Sequence, residues 1–270
     1  MTTLVTIAAM AVALAVGLIA NRVRSRRTAD EQEDAEASVS DLISPLETLA
    51  VLLVAFVIVV AAESFGAAGA AVATEARRVD QLYEVADYAP EPHRQRLQAA
   101  SVCYSRAIQA HEWPAMENGG ESSLRASQWS TEFRRSFKEL AHQDDATFDV
   151  LVQADDERST ARHTRLGEAT PAIPTVVYWF MVVSLAATVG AFAFGLPRKR
   201  GPAHLLLLST LAVLFTGSLL LIQDIDRPFD GQIRITGDAM RGTAEDVSED
   251  FAEDHPGAVL PCDEGGTRTT

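Results

Sequence analysis

The sequence predicts an all-α membrane protein, with four transmembrane helices and a helical bundle inserted between spans two and three. Long uncharged runs alternate with very polar stretches, so that 47% hydrophobic and 22% charged residues coexist in a chain of 270. Four of those runs reach the roughly 20 residues that a helix needs to cross hydrocarbon. Between the second and third runs, apolar residues recur three and four apart, the spacing of a helix rather than a strand.

The first span, 1–20, carries no charge. A secretory signal places its positive charge before the apolar stretch, whereas Arg22, Arg24, Arg26 and Arg27 come after it, so the run reads as an uncleaved anchor. Residues 21–42 are a short connection, basic and then acidic through Asp30, Glu31, Glu33, Asp34 and Glu36, and that acidic run reads as solvated and disordered. The second span, 43–74, is interrupted only by Glu47 and Glu63, and its length predicts a helix that leaves the membrane. The third span, 173–196, starts beside Pro171 and Pro174 and stops at Pro197. The basic turn Pro197-Arg198-Lys199-Arg200-Gly201-Pro202 joins it to the fourth span, 203–222, making a hairpin.

An even span number puts the amino terminus, the polar segment 75–170 and the tail on one side, and the two short connections on the other. The short connections hold Arg22, Arg24, Arg26 and Arg27, then Arg198, Lys199 and Arg200, and short loops are where the positive-inside rule applies. They are expected in the cytoplasm of a bacterial plasma membrane, with the bundle extracytoplasmic. Arginine dominates the basic residues, with Lys138 and Lys199 the only lysines, a bias expected of a GC-rich bacterial genome.

In segment 75–170, Pro90-Glu91-Pro92 breaks one helix and starts another, in which Leu97, Ser101, Tyr104, Ile108 and His111 share a face. Trp113-Pro114 and Asn118-Gly119-Gly120 make the next break. A further helix carries Trp129, Phe133, Phe137 and Leu140 on one side, and a last one runs from Phe148 and Leu151 toward the third span. Residues 223–242 form a membrane-proximal segment in which 232–236 alternates like a short strand. The tail, 243–270, holds Glu245, Asp246, Glu249, Asp250, Glu253 and Asp254 and reads as disordered.

A net charge of -14 excludes a nucleic-acid partner, which needs a concentrated basic surface. The partners expected are the lipid bilayer and further copies of the same chain. Enzyme signatures are absent: no phosphate-binding glycine loop, no Gly-x-Ser-x-Gly elbow, no His-Glu-x-x-His and no Cys-x-x-Cys. No catalytic residue, cofactor or metal site is expected. Cys103 and Cys262 are too distant for a local metal motif, but both fall on the bundle side, where an extracytoplasmic location would let them pair.

Four landmarks occur in order along the chain. They are His111-Glu112-Trp113-Pro114-Ala115-Met116, then Arg162 and Arg165-Leu166, then Ile173-Pro174 with Trp179, and finally Asp226-Arg227-Pro228-Phe229-Asp230-Gly231. With two spans before and two after, this arrangement resembles the bacterial bestrophin-like family, from about the first span to Thr236. The resemblance marks Glu112, Trp113, Pro114, Arg162, Arg165, Leu166, Pro174, Trp179, Asp226, Pro228, Phe229 and Gly231 as family-motif positions. It implies a likeness to bestrophins, pentameric anion channels with four membrane helices per subunit and a cytosolic central region. The Arg-Phe-Pro signature of eukaryotic bestrophins is absent here, and the charge reading puts the central region on the other side.

Glu63 is the position that most suggests a function, since an ionisable group at the edge of an apolar span is costly unless it meets water, a partner or a pore. On a helix it shares a stripe with Leu52, Phe56 and Val59. In a channel these would make an apolar constriction and then a ring of carboxylates, which favours cations; otherwise Glu63 sits at the headgroups, paired or in water. Ala62, Gly66, Ala70 and Thr74, and likewise Ala187, Ala191 and Gly195, have the spacing of close helix contacts. Arg158, Arg162 and Arg165 share a helical face that either holds anionic lipid headgroups or forms salt bridges. Two functions fit: an oligomeric, bestrophin-like ion channel, or a membrane-anchored helical sensor or scaffold without transport.

Overall fold

A computed structural model describes residues 2–24, 29–119, 124–142, 147–196 and 201–269, with side chains in the second helix from Ser44 onward. In chain order the helices are α1 (Thr2–Arg24), α2 (Ala29–Ala86) and α3 (His93–Ala107), then a π-helical segment (Ile108–Glu112) continuing into α4 (Trp113–Glu117). After them come α5 (Leu124–Ala141), α6 (Phe148–Glu168), α7 (Thr175–Gly195), α8 (Pro202–Ile225) and α9 (Asp238–Asp254). Among the described residues the one extended pairing is a bridge between Cys262 and Arg268. The stretch 232–236 is therefore not the expected strand; Ile235 N–H turns back to the Pro228 carbonyl at 2.8 Å.

Four helices are long and apolar enough to cross a membrane, over Thr2–Val23, Ser44–Ala86, Thr175–Gly195 and Pro202–Ile225. These fall on the four expected spans, the second extended at its carboxyl end. A 43-residue helix would be about 64 Å long at ~1.5 Å per residue, twice a hydrocarbon core of ~30 Å. α2 also begins at Ala29, so the acidic run 30–36, expected to be disordered, lies within a helix. The side chains of that run, Arg24, Arg26, Arg27 and the turn 197–200 lie outside the described residues.

The chain divides into two compact units. The first comprises Met1–Glu63 and Ala172–Asp226. In it, Met10 of α1, Ala50, Val57 and Ala61 of α2, Met181 and Leu185 of α7 and Leu219 of α8 share one buried apolar cluster. α1 and α7 approach most closely at two glycines: a Cβ added to Gly17 would lie 2.5 Å from the Gly190 carbonyl oxygen. Polar groups here are satisfied across helices, as buried ones must be. Asn21 donates to the carbonyls of Phe194 and Leu196 at 2.5 and 2.8 Å, ending α7. Tyr178 bonds Thr6 at 2.9 Å and Gln223 at 3.0 Å, and Gln223 reaches Thr2 at 2.5 Å.

The second unit comprises Ser64–Pro171 and Arg227–Thr270. Its core takes Val72, Val79 and Leu82 from α2, Leu97, Tyr104 and Ile108 from α3 and its continuation, Trp129, Phe133, Phe137 and Leu140 from α5, and Leu151 from α6. This unit differs in extent from the bundle expected over 75–170, beginning at Ser64 and including the residues from Arg227 onward. The tail is not the disordered segment expected from its charge. α9 buries Met240, Ala244, Val247 and Phe251, a four-three-four spacing that puts its acids on the other face. Beyond it Cys262 forms a disulfide with Cys103, and Trp129 Nε1 donates to the Gly266 carbonyl at 2.8 Å. Gly266 has φ +69°, and a Cβ there would stand 2.6 Å from the Cys103 carbonyl oxygen, so the tail fits only with glycine at this point.

Replacing Gly17 by leucine should force α1 and α7 apart and destabilise the protein by about 1–3 kcal/mol, the cost of overpacking. Thermal unfolding in detergent should show the loss, whereas Gly217→Leu, at a position with open space around the Cα, should leave the melting temperature near that of the native chain.

Candidate functional site

The face of α2 within the first unit is largely uncovered. Leu52 is 63%, Phe56 70% and Val59 54% exposed, and Glu63 is exposed beside them. At ~100° per residue these four fall within a sector of about 60°, so a single stripe carries three large apolar side chains and then one carboxylate.

The second unit buries a balanced set of charges. α6 presents Arg158, Arg162 and Arg165 at four- and three-residue spacing, on one face turned into the core. Arg165 is fully buried between two fully buried carboxylates, Glu75 from α2 and Glu112 from the π-helical segment, and ion-pairs with both. Arg162 completes the set, with Nη2 2.5 Å from Glu112 Oε2 and Nη1 3.3 Å from Ser127. Tyr104 donates to Glu75 Oε1 at 2.6 Å. Arg158 pairs with Asp155 at 2.6 Å and lies 4.5 Å from the centre of the Tyr104 ring. These arginines are therefore committed to internal carboxylates rather than to lipid headgroups.

The π-helical segment is what brings Glu112 inward. An i→i+5 turn inserts about one extra residue into the helix and rotates the residues beyond it by ~100°. Leu97, Ser101, Tyr104 and Ile108 are buried as the sequence predicts, but the next inward position is Glu112, not His111, which is only partly covered. Burial alone would push the Glu112 carboxyl up, but hydrogen bonds and charge from Arg162 and Arg165 hold it below its ordinary value. Burial would likewise lower Arg165 and Arg162, and the facing carboxylates raise both. The Tyr104 hydroxyl is pushed up by burial and by Glu75.

Of the family-motif positions, Glu112, Arg162 and Arg165 thus meet in one network. Trp113 is buried, with its ring edge-on to Phe229 at 5.6 Å, over Gly237. Pro114 stands in the first turn of α4, where its missing N–H is harmless, and Leu166 packs on the same core. Pro228 and Gly231 shape the turn around Phe229, Gly231 N–H reaching the Arg227 carbonyl at 3.0 Å. In the first unit, Asp226 accepts from the N–H groups of Ala172 and Ile173 at 2.9 and 3.0 Å, just ahead of Pro174 and α7, and Trp179 packs edge-on against Tyr178 at 5.8 Å. Among the described residues no group of three or more histidine, cysteine or carboxylate side chains is placed to hold a metal ion.

The model of the Bestrophin-like domain matches residues 7–240. The chain belongs to the Bestrophin-like domain family. Of the residues that the sequence marks in this Bestrophin-like chain, Glu112, Arg162 and Arg165 close the charge network and Asp226, Pro228 and Gly231 the turn after α8. Among solved structures it resembles a bacterial bestrophin homologue from Klebsiella pneumoniae, at 14% identity over 92% of this chain and 98% of that one, with a TM-score of 0.65. A tryptophan-to-alanine variant from the same organism gives 13% identity, 90% and 97% coverage and a TM-score of 0.66. A glycine-to-alanine form described as a membrane protein gives 15%, 92%, 98% and 0.65. No curated protein matches the sequence. At these identities the likeness is one of fold.

Sequence reasoning does not single out Glu75 or Asp155. The signal for Glu75 was present: it interrupts the apolar stripe Ala68, Val72, Val79, Leu82 and Ala86, all buried, so a helix that buries the stripe must bury the carboxylate.

Removing one partner leaves a buried charge without its counter-ion, so Glu112→Ala or Arg165→Met should each cost about 3–5 kcal/mol in thermal or denaturant unfolding. Because Glu112 has a lowered pKa, its contribution is present above the ordinary carboxylate value and is lost as pH falls through the folded value. The melting temperature should hold between about pH 7 and 5 and drop below about pH 4, less steeply in Glu112→Gln.

Proposed function

We propose that the chain is one subunit of an oligomeric ion channel in a bacterial plasma membrane, with the α2 stripe Leu52, Phe56, Val59 and Glu63 lining the pore. The observation that carries this reading is the exposure of Glu63 in line with three exposed apolar side chains on an apolar helix. Facing lipid, an ionised carboxylate would lose its hydration without compensation; facing a water-filled axis between copies, it keeps it. Leu52, Phe56 and Val59 then make an apolar neck, and repeated Glu63 carboxylates favour cations over anions. Membership of the Bestrophin-like family and the bestrophin likeness of the fold support the channel reading.

The second unit is placed outside the cytoplasm. The Cys103–Cys262 disulfide supports this, since such bonds persist in oxidising compartments, and it agrees with basic short connections facing inward. This orientation is opposite to the cytosolic central region that bestrophin likeness would imply.

Purified protein in liposomes should pass cations in preference to anions, and Glu63→Gln should lower the cation-to-anion permeability ratio several-fold while leaving the oligomer intact by native mass spectrometry. If neither ion class passes and the substitution changes nothing, conduction fails and a membrane-anchored scaffold remains. In intact cells, a membrane-impermeant maleimide should label Cys103 and Cys262 only after external reduction; free thiols reachable only after lysis would reverse the orientation.

A further inference from the structure

The second unit carries a groove of about 570 Å³ between α2 and α6, walled by Ala67, Ala71 and Thr74 on one side and by Thr160, Ala161 and Thr164 on the other. Arg78 and Glu157 mark one end of it, paired at 2.7 Å. Asp156, the neighbour of Glu157 on α6, lines the same groove, is exposed and forms no ion pair among the described residues. Arg77, the neighbour of Arg78 on α2, is exposed too, and its guanidinium meets only its own helix: Nε stands 3.3 Å from the Ala73 carbonyl oxygen and Nη2 3.3 Å from Thr74 Oγ1. A cation and a carboxylate thus stand at about one level of the unit, each without an internal counter-ion.

Helical phase puts the two on different sides. Counted from Glu63 at ~100° per residue, Ala67, Ala71 and Arg78 fall about 40–80° to one side, and Gly66, Ala73 and Arg77 about 40–80° to the other. The second flank is bare, since Gly66, Ala73 and Arg77 are all exposed and a Cβ on Gly66 would meet nothing within 4 Å.

We propose that the groove receives the Arg77 flank of α2 from a second copy of the chain, with Arg77 of one copy ion-paired to Asp156 of the next. The inference rests on the pore reading, in which Glu63 faces a common axis. In a ring built that way, one flank of each α2 faces the opposite flank of its neighbour, a heterologous contact that closes on itself. Rotation about the axis keeps every residue at its own height, and the rise from Arg77 to Arg78 is only ~1.5 Å. The cation therefore arrives at the end of the groove that Arg78 and Glu157 mark, beside Asp156. Charge on the two faces is complementary: Gly66, Ala73 and Arg77 bring a lone positive charge, and the groove lining holds Asp156, Glu157 and Glu168 against Arg78. The same carboxylates would repel an anionic lipid headgroup, and the small side chains on both walls suit the entry of a helix ridge.

Cross-linking of the full chain in detergent tests the interface. One chain carries Arg77→Cys and a differently tagged, co-expressed chain carries Asp156→Cys, so a mixed cross-link joins two copies by construction, while Cys103 and Cys262 stay paired in both. Mild oxidation should give a mixed dimer on a non-reducing gel, in several-fold higher yield than either chain oxidised alone. In native mass spectrometry, Arg77→Asp should raise the dissociated fraction several-fold, and Arg77→Asp combined with Asp156→Arg should restore the oligomer. Both positions are exposed, and unchanged melting temperatures would show that the fold is kept. An oligomer that yields no mixed cross-link, or one that Arg77→Asp leaves intact, would overturn this interface and leave the channel reading standing. A native chain that is monomeric would end both. A mixed cross-link in an oligomer that passes no ions would uphold the interface and remove conduction alone.

Discussion

A guanidinium removed from water must recover its hydration from carboxylates, and the second unit is organised by that requirement at Arg165. Its two counter-ions arrive from segments far apart in sequence, Glu75 on α2 and Glu112 in the π-helical segment. α2, α3 with its continuation, and α6 can therefore meet in only one register. Slipping any of them by a residue would separate a buried charge from its partner and leave it in a low-dielectric core, where the penalty is several kcal/mol. Arg162 and Tyr104 share the same carboxylates, so the network acts as a unit and not as separable pairs.

The same constraint accounts for the irregular helix. In a regular α-helix through Ile108–Glu112, at ~100° per residue, His111 and Glu112 would lie about 50° to either side of the stripe's centre. The π-helical turn changes the phase, and Pro114, placed where the first turn of α4 needs no N–H, lets the chain continue from it. Trp113 is then set against Phe229 and over Gly237, which ties the segment after α8 into the core. The disulfide adds a covalent link between α3 and the tail across 159 residues, closing a long loop of the unfolded chain.

The membrane helices obey a different rule. Their apolar faces gain nothing from leaving water once they are in lipid, so contact depends on close fit and on polar groups with no other partner. The Gly17–Gly190 approach and the hydrogen-bonded chain of Thr2, Gln223, Tyr178 and Thr6 supply both within the first unit. Apolar faces of all four helices stay uncovered, and among them the α2 stripe is the one that ends in a carboxylate, Glu63.

The four apolar helices, the proline-delimited start of α3 and the buried face of α5 were legible in the sequence, because length, uncharged composition and helical spacing are properties of neighbours along the chain. The family landmarks were legible for the same reason, as short patterns in order. What tertiary structure alone decided was pairing: that three arginines on α6 turn inward to Glu75, Glu112 and Asp155, that an extra residue per turn swaps His111 for Glu112, and that an acidic tail folds as α9. Net charge describes what a segment shows to water, whereas its packing depends on which face is covered. In α9 the apolar residues lie four and three apart on one face, so a segment rich in aspartate and glutamate still had a core-facing side.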